Sequence, residues 1–154
     1  MPFALVVSRY NAFVTERLET GARACMREAG HADADVVTFH VPGAFELPQA
    51  ASHIAMTGTF DAIVCLGCLI KGETPHFDFI AQAVANGITR AGQAAGVPIA
   101  FGVLTTNTAE EAMARAGEGP TNTGREAATA ALEMASLYAS IAGRAGSGQG
   151  KARA

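Results

Sequence analysis

Hydrophobic positions along the chain follow two patterns: short unbroken apolar runs, and longer stretches in which apolar residues recur every three or four positions. The four apolar runs have the length of buried strands, and a stretch with helical spacing follows each of them. They lie at Phe3–Ser8, Val36–His40, Ala62–Ile70 and Ile99–Leu104. This alternation predicts an α/β fold, in which helices cover both faces of a four-stranded parallel sheet.

Capping and helix-ending residues set the expected bounds of the helices. Helices are predicted between residues 12 and 29, 44 and 57, 75 and 95, in a short segment after residue 108, and between 123 and 141. Asn107 and Thr108 each precede a glutamate by three residues, as the first residue of a capping box does, and Thr123 stands in the same relation to Glu126. We therefore expect the last helix to begin near Thr123.

The folded domain is expected to comprise residues 1–142. The segment that follows, G-R-A-G-S-G-Q-G-K-A-R-A, is rich in glycine and has no large apolar side chain. Such a segment cannot bury enough apolar surface to offset the conformational entropy lost on folding. Residues 143–154 are therefore predicted to form a disordered C-terminal tail.

Composition excludes several classes of partner. Hydrophobic residues make up 49% of the chain and charged residues 16%, which predicts that part of the surface contacts other subunits. The net charge of -3 provides no footing for nucleic acid. No apolar run reaches the roughly 18–20 residues of a membrane helix, and the N-terminus lacks the basic region that begins a signal peptide. We therefore expect a cytoplasmic protein that binds neither nucleic acid nor membrane.

The three cysteines are too few for a disulfide framework. Cys65 and Cys68 form a C-x-x-C motif, but an odd offset on a strand points two side chains to opposite faces of the sheet. The chain has no second pair of this kind to complete a zinc site. The sequence therefore predicts neither a metal site nor a redox site at these cysteines.

The third apolar run ends in a turn that has the chemistry of an anion site. Lys71–Thr74 interrupts the strand, and Pro75 follows at a position favoured in the first turn of a helix. Free backbone N–H groups and the positive end of the helix dipole meet at such a turn, and both stabilise a bound phosphate. His76 lies at its mouth, and imidazole both gives and accepts protons near neutral pH. This segment is the strongest functional indication in the sequence.

Polar and aromatic residues follow all four predicted strands. Tyr10 follows the first strand, Phe45 and Glu46 the second, His76 the third, and residues 105–108 the fourth. Ligands of parallel α/β sheets bind outside the carboxyl ends of the strands. We therefore expect these four clusters to form one site at that edge of the sheet.

Longer motifs of the chain resemble those of the lumazine synthase family, whose members catalyse the penultimate step of riboflavin biosynthesis. The matching stretches are S-R-Y-N-A-F-V-T-E-R-L, V-P-G-A-F-E-L-P, L-G-C-L-I-K-G-E-T-P-H-F-D-F, G-V-L-T-T-N-T, A-R-A-G and E-A-A-T-A-A-L-E-M-A-S-L. They cover about Ser8 to Leu137, and several long motifs in the right order are far more specific than one short motif.

The resemblance implies a flavodoxin-like αβα sandwich and a defined transferase reaction. Members of the family condense 5-amino-6-(D-ribitylamino)uracil with 3,4-dihydroxy-2-butanone 4-phosphate. The product is 6,7-dimethyl-8-ribityllumazine, released with phosphate and water, and the reaction uses no cofactor. The subunits form pentamers that sometimes close into sixty-subunit shells, and a functional link to riboflavin synthase is a further expectation.

The resemblance also implies roles for individual residues in binding the ribitylaminouracil and in catalysis. His76 is expected to transfer protons, and Tyr10 to stack on the pyrimidine ring. Phe101 is expected to enter the site from a neighbouring subunit. The other residues expected to bind this substrate are Ala44, Phe45, Glu46, Cys68, Leu69 and Ile70.

Three residues are implied in binding the butanone phosphate. Glu73 and Thr74 match the pair that cradles the phosphate, and the backbone N–H of Glu73 rather than its carboxylate would bind this anion. Arg115 matches the guanidinium that clamps the same phosphate, which a bidentate, charge-assisted donor suits. Without the resemblance, a lone arginine on a helix would be assigned to a solvated helix face.

The chain departs from the family pattern at a few positions. Tyrosine stands at position 10, where phenylalanine or tryptophan is usual, and its ring can stack in the same way. Thr123 stands where the family often has lysine, so that it either removes positive charge from the substrate site or simply caps a helix. Eight residues precede Arg9, fewer than in shell-forming members, which favours a pentamer over a closed shell.

Two other functions are compatible with the same fold. One is a non-catalytic flavin- or lumazine-binding protein, in which Thr123 would mark the loss of turnover. The other is an FMN electron carrier of the flavodoxin type. The loop after the first strand disfavours the carrier, because S-R-Y-N is not a phosphate loop rich in serine, threonine and glycine. The motifs favour the synthase.

Overall fold

The computed structural model describes residues 2–152, and side chains as far as residue 146. Four strands form one parallel sheet in the order β2-β1-β3-β4. They are β1 (Phe3–Ser8), β2 (Val36–Val41), β3 (Ala62–Ile70) and β4 (Ile99–Thr106). The predicted α/β fold with four parallel strands is confirmed, and β2 and β4 extend slightly beyond their expected ends.

The helices occupy both faces of the sheet. They are α1 (Ala12–Glu28), α2 (Leu47–Ala55), α3 (His76–Ala95), α4 (Ala109–Ala114) and α5 (Thr123–Ala152). Among the described residues, none of them is both long and apolar enough to cross a membrane.

Alternate residues of the strands enter two separate hydrophobic layers. Leu5 packs with residues of α1 and α5 on one face, and the next residue, Val6, packs with residues of α2 and α3 on the other. Cys65 and Cys68 lie in different layers, as their odd spacing predicts. Burial raises the pKa of Cys65 to about 12 and that of Cys68 to about 11, so both remain thiols at neutral pH.

The caps of the last two helices resolve the alternatives that the sequence left open. Thr108 caps α4, because the Glu111 N–H donates to its hydroxyl at 3.1 Å. The capping box expected at Thr123 is wrong. Asn122 caps α5 instead, since its Oδ1 accepts a hydrogen bond from the Arg125 N–H at 3.0 Å, and asparagine is among the best N-cap residues. Helix capping therefore does not account for Thr123.

Helix α5 continues well beyond its expected end near Ile141, and that bound is wrong. The helix reaches Ala152, although Ala131 is its last buried residue among those whose side chains are described, and residues 136–146 are exposed. Helical geometry in this exposed segment therefore rests on local hydrogen bonds rather than on packing, and such helices are marginal in water. Disorder of the 143–154 tail in solution stays a prediction, and residues 153 and 154 lie outside the described residues.

Helices α1 and α5 cross at a glycine. A Cβ atom added at Gly124 would overlap the backbone carbonyl of Leu18, so only glycine allows this approach. The contact fixes the start of α5 against α1, and with it the position of the loop before α5.

We predict that Gly124→Ala lowers the free energy of unfolding by about 1–3 kcal/mol, because the backbone of α1 must move away. Urea unfolding followed by circular dichroism, at one fixed protein concentration, measures this. Gly146→Ala on the same helix is the matched control, since its added Cβ would meet no atom of the described chain within 4 Å. A loss of stability as small in Gly124→Ala as in the control would contradict the close crossing.

Candidate functional site

A cleft of about 830 Å³ opens at the carboxyl ends of β1 and β3. The strand order reverses at this point, because the chain passes from β1 to β2 on one side and from β3 to β4 on the other. Helix α1 packs on one face of the sheet and α3 on the other, so the two connections diverge. Parallel α/β sheets bind ligands at such switch points.

Tyr10 lies in a loop that is tied to both neighbouring strands. The N–H groups of Arg9 and Tyr10 donate to carbonyls at the end of β2, at 2.8 and 3.0 Å. Asn11 follows with a left-handed backbone (φ 62°), and its Nδ2 donates to the Cys68 carbonyl of β3 at 2.8 Å. The loop therefore holds the Tyr10 ring, which is 72% exposed, beside the cleft.

The second wall of the cleft is a short turn between β2 and α2. Ala44–Glu46 forms a 3-10 turn, and Leu47, fully buried beneath it, fixes the turn to the core. Pro48 lies in the first helical turn of α2, as predicted. The buried anchor leaves the side chains of Phe45 and Glu46 free to line the cleft.

The third wall begins where β3 meets α3. The first backbone hydrogen bond of α3 runs from the Asp78 N–H to the Pro75 carbonyl at 3.1 Å. The N–H groups of His76 and Phe77 precede it, in the part of a helix that has no intrahelical acceptors. Thr74 and His76 both line the cleft, so the segment for which the sequence predicts an anion site borders it.

Most of the predicted site residues meet at this one cleft. Cys68 lies below it, with a buried side chain and a carbonyl that already accepts the Asn11 amide. Glu73, Phe101 and Arg115 do not line it. Those that line it are Tyr10, Ala44, Phe45, Glu46, Leu69, Ile70, Thr74 and His76.

The expectation that all four strand ends form one site is wrong for the fourth strand. Residues 105–108 do not line the cleft; they lie at the end of β4 and directly after it, and β4 pairs with β3 and lies two strands away from β1. Phe101 lies on β4 and is 46% exposed. Arg115 follows α4, and its carbonyl accepts the Thr123 N–H at 2.9 Å. Phe101 and Arg115, two predicted residues that do not line the cleft, thus both come from the segment of β4 and α4.

Several residues that line the cleft were missed in the sequence. Ile80 and Ala83 lie four and seven positions after His76, and this helical spacing was the available signal. Phe79, which is 71% exposed, and Phe77 complete this wall. Asn11 could have been found as a residue that tolerates the left-handed backbone a tight loop needs.

The cleft combines aromatic surfaces with few ionisable groups. Tyr10, Phe45 and Phe79 offer ring faces or edges. Apart from the Tyr10 phenol, the ionisable side chains among the described residues that line the cleft are those of Glu46 and His76. Such a surface suits a flat heterocycle that stacks on an aromatic ring and bonds to backbone groups at its edge.

Comparison with known proteins identifies the family. The sequence model of 6,7-dimethyl-8-ribityllumazine synthase matches residues 1–139. The chain belongs to this family. It is 50% identical over 135 residues to the 6,7-dimethyl-8-ribityllumazine synthase of Chlorobium phaeovibrioides, an alignment covering 88% of this chain and 87% of that protein. It is 48% identical over 136 residues to the enzyme of the same name from Chlorobium luteolum, with 88% of each chain covered.

The match to the lumazine synthase family confirms the resemblance drawn from the motifs, and the sheet of four parallel strands agrees with the flavodoxin-like fold. The matched region, residues 1–139, includes every residue that lines the cleft, and it ends in the exposed part of α5.

Asn11 holds the cleft through both its backbone and its amide. We predict that Asn11→Ala lowers the free energy of unfolding by about 2–3 kcal/mol, because alanine loses the bond to the Cys68 carbonyl and also resists the left-handed backbone. Asn11→Gly keeps the backbone and loses only the bond, so about 1 kcal/mol is expected.

Urea unfolding of the three proteins at one fixed concentration measures both effects. Equal losses in the alanine and glycine variants would show that the left-handed backbone adds no strain. No loss in either variant would remove the Asn11–Cys68 bond from the forces that hold the loop.

Proposed function

We propose that this chain catalyses the lumazine synthase reaction in the cytoplasm, as a step of riboflavin biosynthesis with a functional link to riboflavin synthase. It would condense 5-amino-6-(D-ribitylamino)uracil with 3,4-dihydroxy-2-butanone 4-phosphate without a cofactor. Two results agree in supporting the proposal, the family of the chain and the residues that line its cleft. A chain that belongs to this family gathers most of the residues expected to bind these substrates around one cleft at the switch point.

The pyrimidine would stack on Tyr10, with its polar edge at the backbone of Leu69 and Ile70 where β3 ends. The 3-10 turn at Ala44–Glu46 would hold the ribityl chain, because a polyol needs hydrogen-bonding groups on a rigid element. Cys68 would act through its backbone, which the Asn11 amide already orients.

The phosphate would bind at the start of α3. Thr74, the backbone N–H of Glu73 and the first N–H groups of the helix would donate to its oxygens, and the helix dipole would add a favourable field. Glu73 does not line the cleft; its carboxylate would have to point away from the phosphate, while its N–H, in the turn between Gly72 and Thr74, would point toward it. A guanidinium from Arg115 would neutralise the dianion from outside this wall.

His76 would transfer protons between the two bound substrates. Imine formation, phosphate loss and ring closure each move protons, and the imidazole at the start of α3 lines the same cleft as Tyr10 and Thr74. Acid–base catalysis of this kind supplies a factor of roughly 10²–10⁴ in rate. Holding both substrates in place can contribute more, up to about 7–11 kcal/mol.

The active assembly would be a pentamer in which a neighbour completes each cleft. Phe101 and Arg115, which do not line the cleft of their own subunit, would reach that of the next one. The edge of the sheet carries apolar surface that such a neighbour could cover, since a groove of about 290 Å³ runs between α3, β4 and α5. Beside it, exposed side chains at helical spacing form a stripe on α5. They are Met134, Leu137, Tyr138 and Ile141.

We predict that His76→Ala slows the formation of lumazine by a factor of about 10²–10⁴ without abolishing it, because positioning remains. The measurement is lumazine fluorescence during incubation with both substrates across pH 6–8. His53→Ala is the control, since His53 does not line the cleft. Unchanged turnover in His76→Ala would remove this residue from the mechanism, and a wild-type protein that binds lumazine without forming it would favour the non-catalytic alternative.

We predict that co-expressed His76→Ala and Arg115→Ala subunits have a higher activity per site than either variant has alone. If Arg115 acts in the neighbour's cleft, about a quarter of the sites in a randomly mixed ring pair an intact His76 with an intact Arg115. Activity per site, after separation by differently tagged subunits, measures the recovery.

The control is a double variant, His76→Ala/Arg115→Ala, co-expressed with wild-type chain at the same ratio. Mixed assemblies that show only the summed activity of the two single variants would place Arg115 in its own subunit's site. Light scattering on the same samples tests the pentamer, and a monomeric active enzyme would overturn it.

A further inference from the structure

The Ser8 side chain is an exception among the buried polar groups of this protein. It is 1% exposed, and among the described residues its Oγ is the buried side-chain atom for which no hydrogen-bond partner is present. Its backbone carbonyl, in contrast, is bonded, because it accepts the hydroxyl of Thr15 at 2.8 Å. The missing hydrogen bond is therefore that of the side chain.

Ser8 lies directly below the cleft. It is the last residue of β1, and Tyr10, two positions later, lines the cleft. On the adjacent strand Gly67 occupies the corresponding level, and Leu69, again two positions later, lines the cleft. The serine therefore lies one level beneath the floor, on the central strand of the switch point.

Small residues separate the hydroxyl from the cleft. A Cβ added at Gly67 would lie 3.3 Å from Ser8 Oγ, 3.5 Å from the Cβ of Ala44 and 2.9 Å from a methyl carbon of Leu47. Ala44 lines the cleft, whereas Leu47 belongs to the core. The hydroxyl thus lies at the boundary between core and cleft, where neither of its small neighbours offers a side-chain partner.

A hydroxyl in this position lowers the stability of the protein unless another group forms a hydrogen bond with it. Burial removes the hydrogen bonds that the hydroxyl would form with water, and no group of the described residues replaces them. Alanine would fit the same strand position without that loss. Buried polar groups in native proteins are bonded to protein, water or ligand. No protein group bonds this hydroxyl within the described chain, so its partner would be a ligand or a water, and the adjacent cleft is the place that can admit either.

We propose that Ser8 is a positioning residue whose hydroxyl becomes bonded when a pyrimidine occupies the cleft, as the innermost polar group of the binding site. A hydroxyl both donates and accepts, which suits the mixed N–H and C=O edge of such a ring. The assignment of the ring as a pyrimidine rests on the proposed function, whereas the observation that the hydroxyl is unpartnered is independent of it.

Ser8→Ala tests this, with Thr15→Val as the matched control. Both variants remove a buried hydroxyl from the same junction of β1 and α1, but only the hydroxyl of Thr15 already has a partner within the protein. The measurements are Tm, KM for each substrate, kcat, and the Kd of 6,7-dimethyl-8-ribityllumazine by fluorescence titration.

In Ser8→Ala we expect Kd for lumazine and KM for the pyrimidine to rise about tenfold, as for the loss of one hydrogen bond in a closed site. The KM for the butanone phosphate should stay within about twofold, and Tm should not fall. In Thr15→Val we expect the opposite pattern, a lower Tm with ligand affinity nearly unchanged.

Unchanged Kd and KM in Ser8→Ala would overturn the proposal, and so would a loss of Tm like that of Thr15→Val. A wild-type protein that binds lumazine without forming it would overturn the proposed function, while the titration would still decide the role of Ser8. A wild-type protein that does not bind lumazine would overturn both.

Discussion

The divergence of the chain at the ends of β1 and β3 is the constraint on which the cleft depends. Helix α1 packs on one face of the sheet and α3 on the other, so neither covers the gap between these two central strands. The strands themselves cannot close the gap, because they are paired on both sides and buried on both faces. Hydrogen bonds from the Arg9–Asn11 loop to the ends of β2 and β3 then turn an opening in the sheet into a cleft of fixed width.

The sequence was sufficient for the strands and for most of the helices, because the period of apolar residues follows directly from their geometry. It predicted β1 and β3 to the residue, since each is an unbroken apolar run between polar turns. It could not predict which strand ends face one another. Parallel strands share a carboxyl edge in any order, and only the order β2-β1-β3-β4 separates residues 105–108 from Tyr10.

Local signals failed where two neighbouring residues could serve the same purpose. Asn122 and Thr123 can both cap a helix, and the choice fell to Asn122 because its amide also reaches the carbonyls of Arg17 and Gly117, at 3.2 and 3.0 Å. These are tertiary contacts, which a pattern of adjacent residues does not contain. The end of α5 failed for a different reason, because glycine is a poor helix former and the glycine-rich sequence after Ala142 indicated an end that the helix does not have.

The edge strand β4 affects both the solubility of the subunit and, in the proposed ring, its activity. The outer side of β4 has no strand partner in the described part of the chain, and apolar side chains lie beside it. Such an edge is a liability in an isolated subunit, because it promotes aggregation unless something covers it. In the proposed ring, the neighbour that covers this edge is also the one that receives Phe101 and Arg115. A cleft with few ionisable groups gains most of its rate from positioning, so a second rigid wall is worth more to it than a further acid or base. Assembly would then answer both needs with one surface, and a chain that could not associate would lose solubility and turnover together.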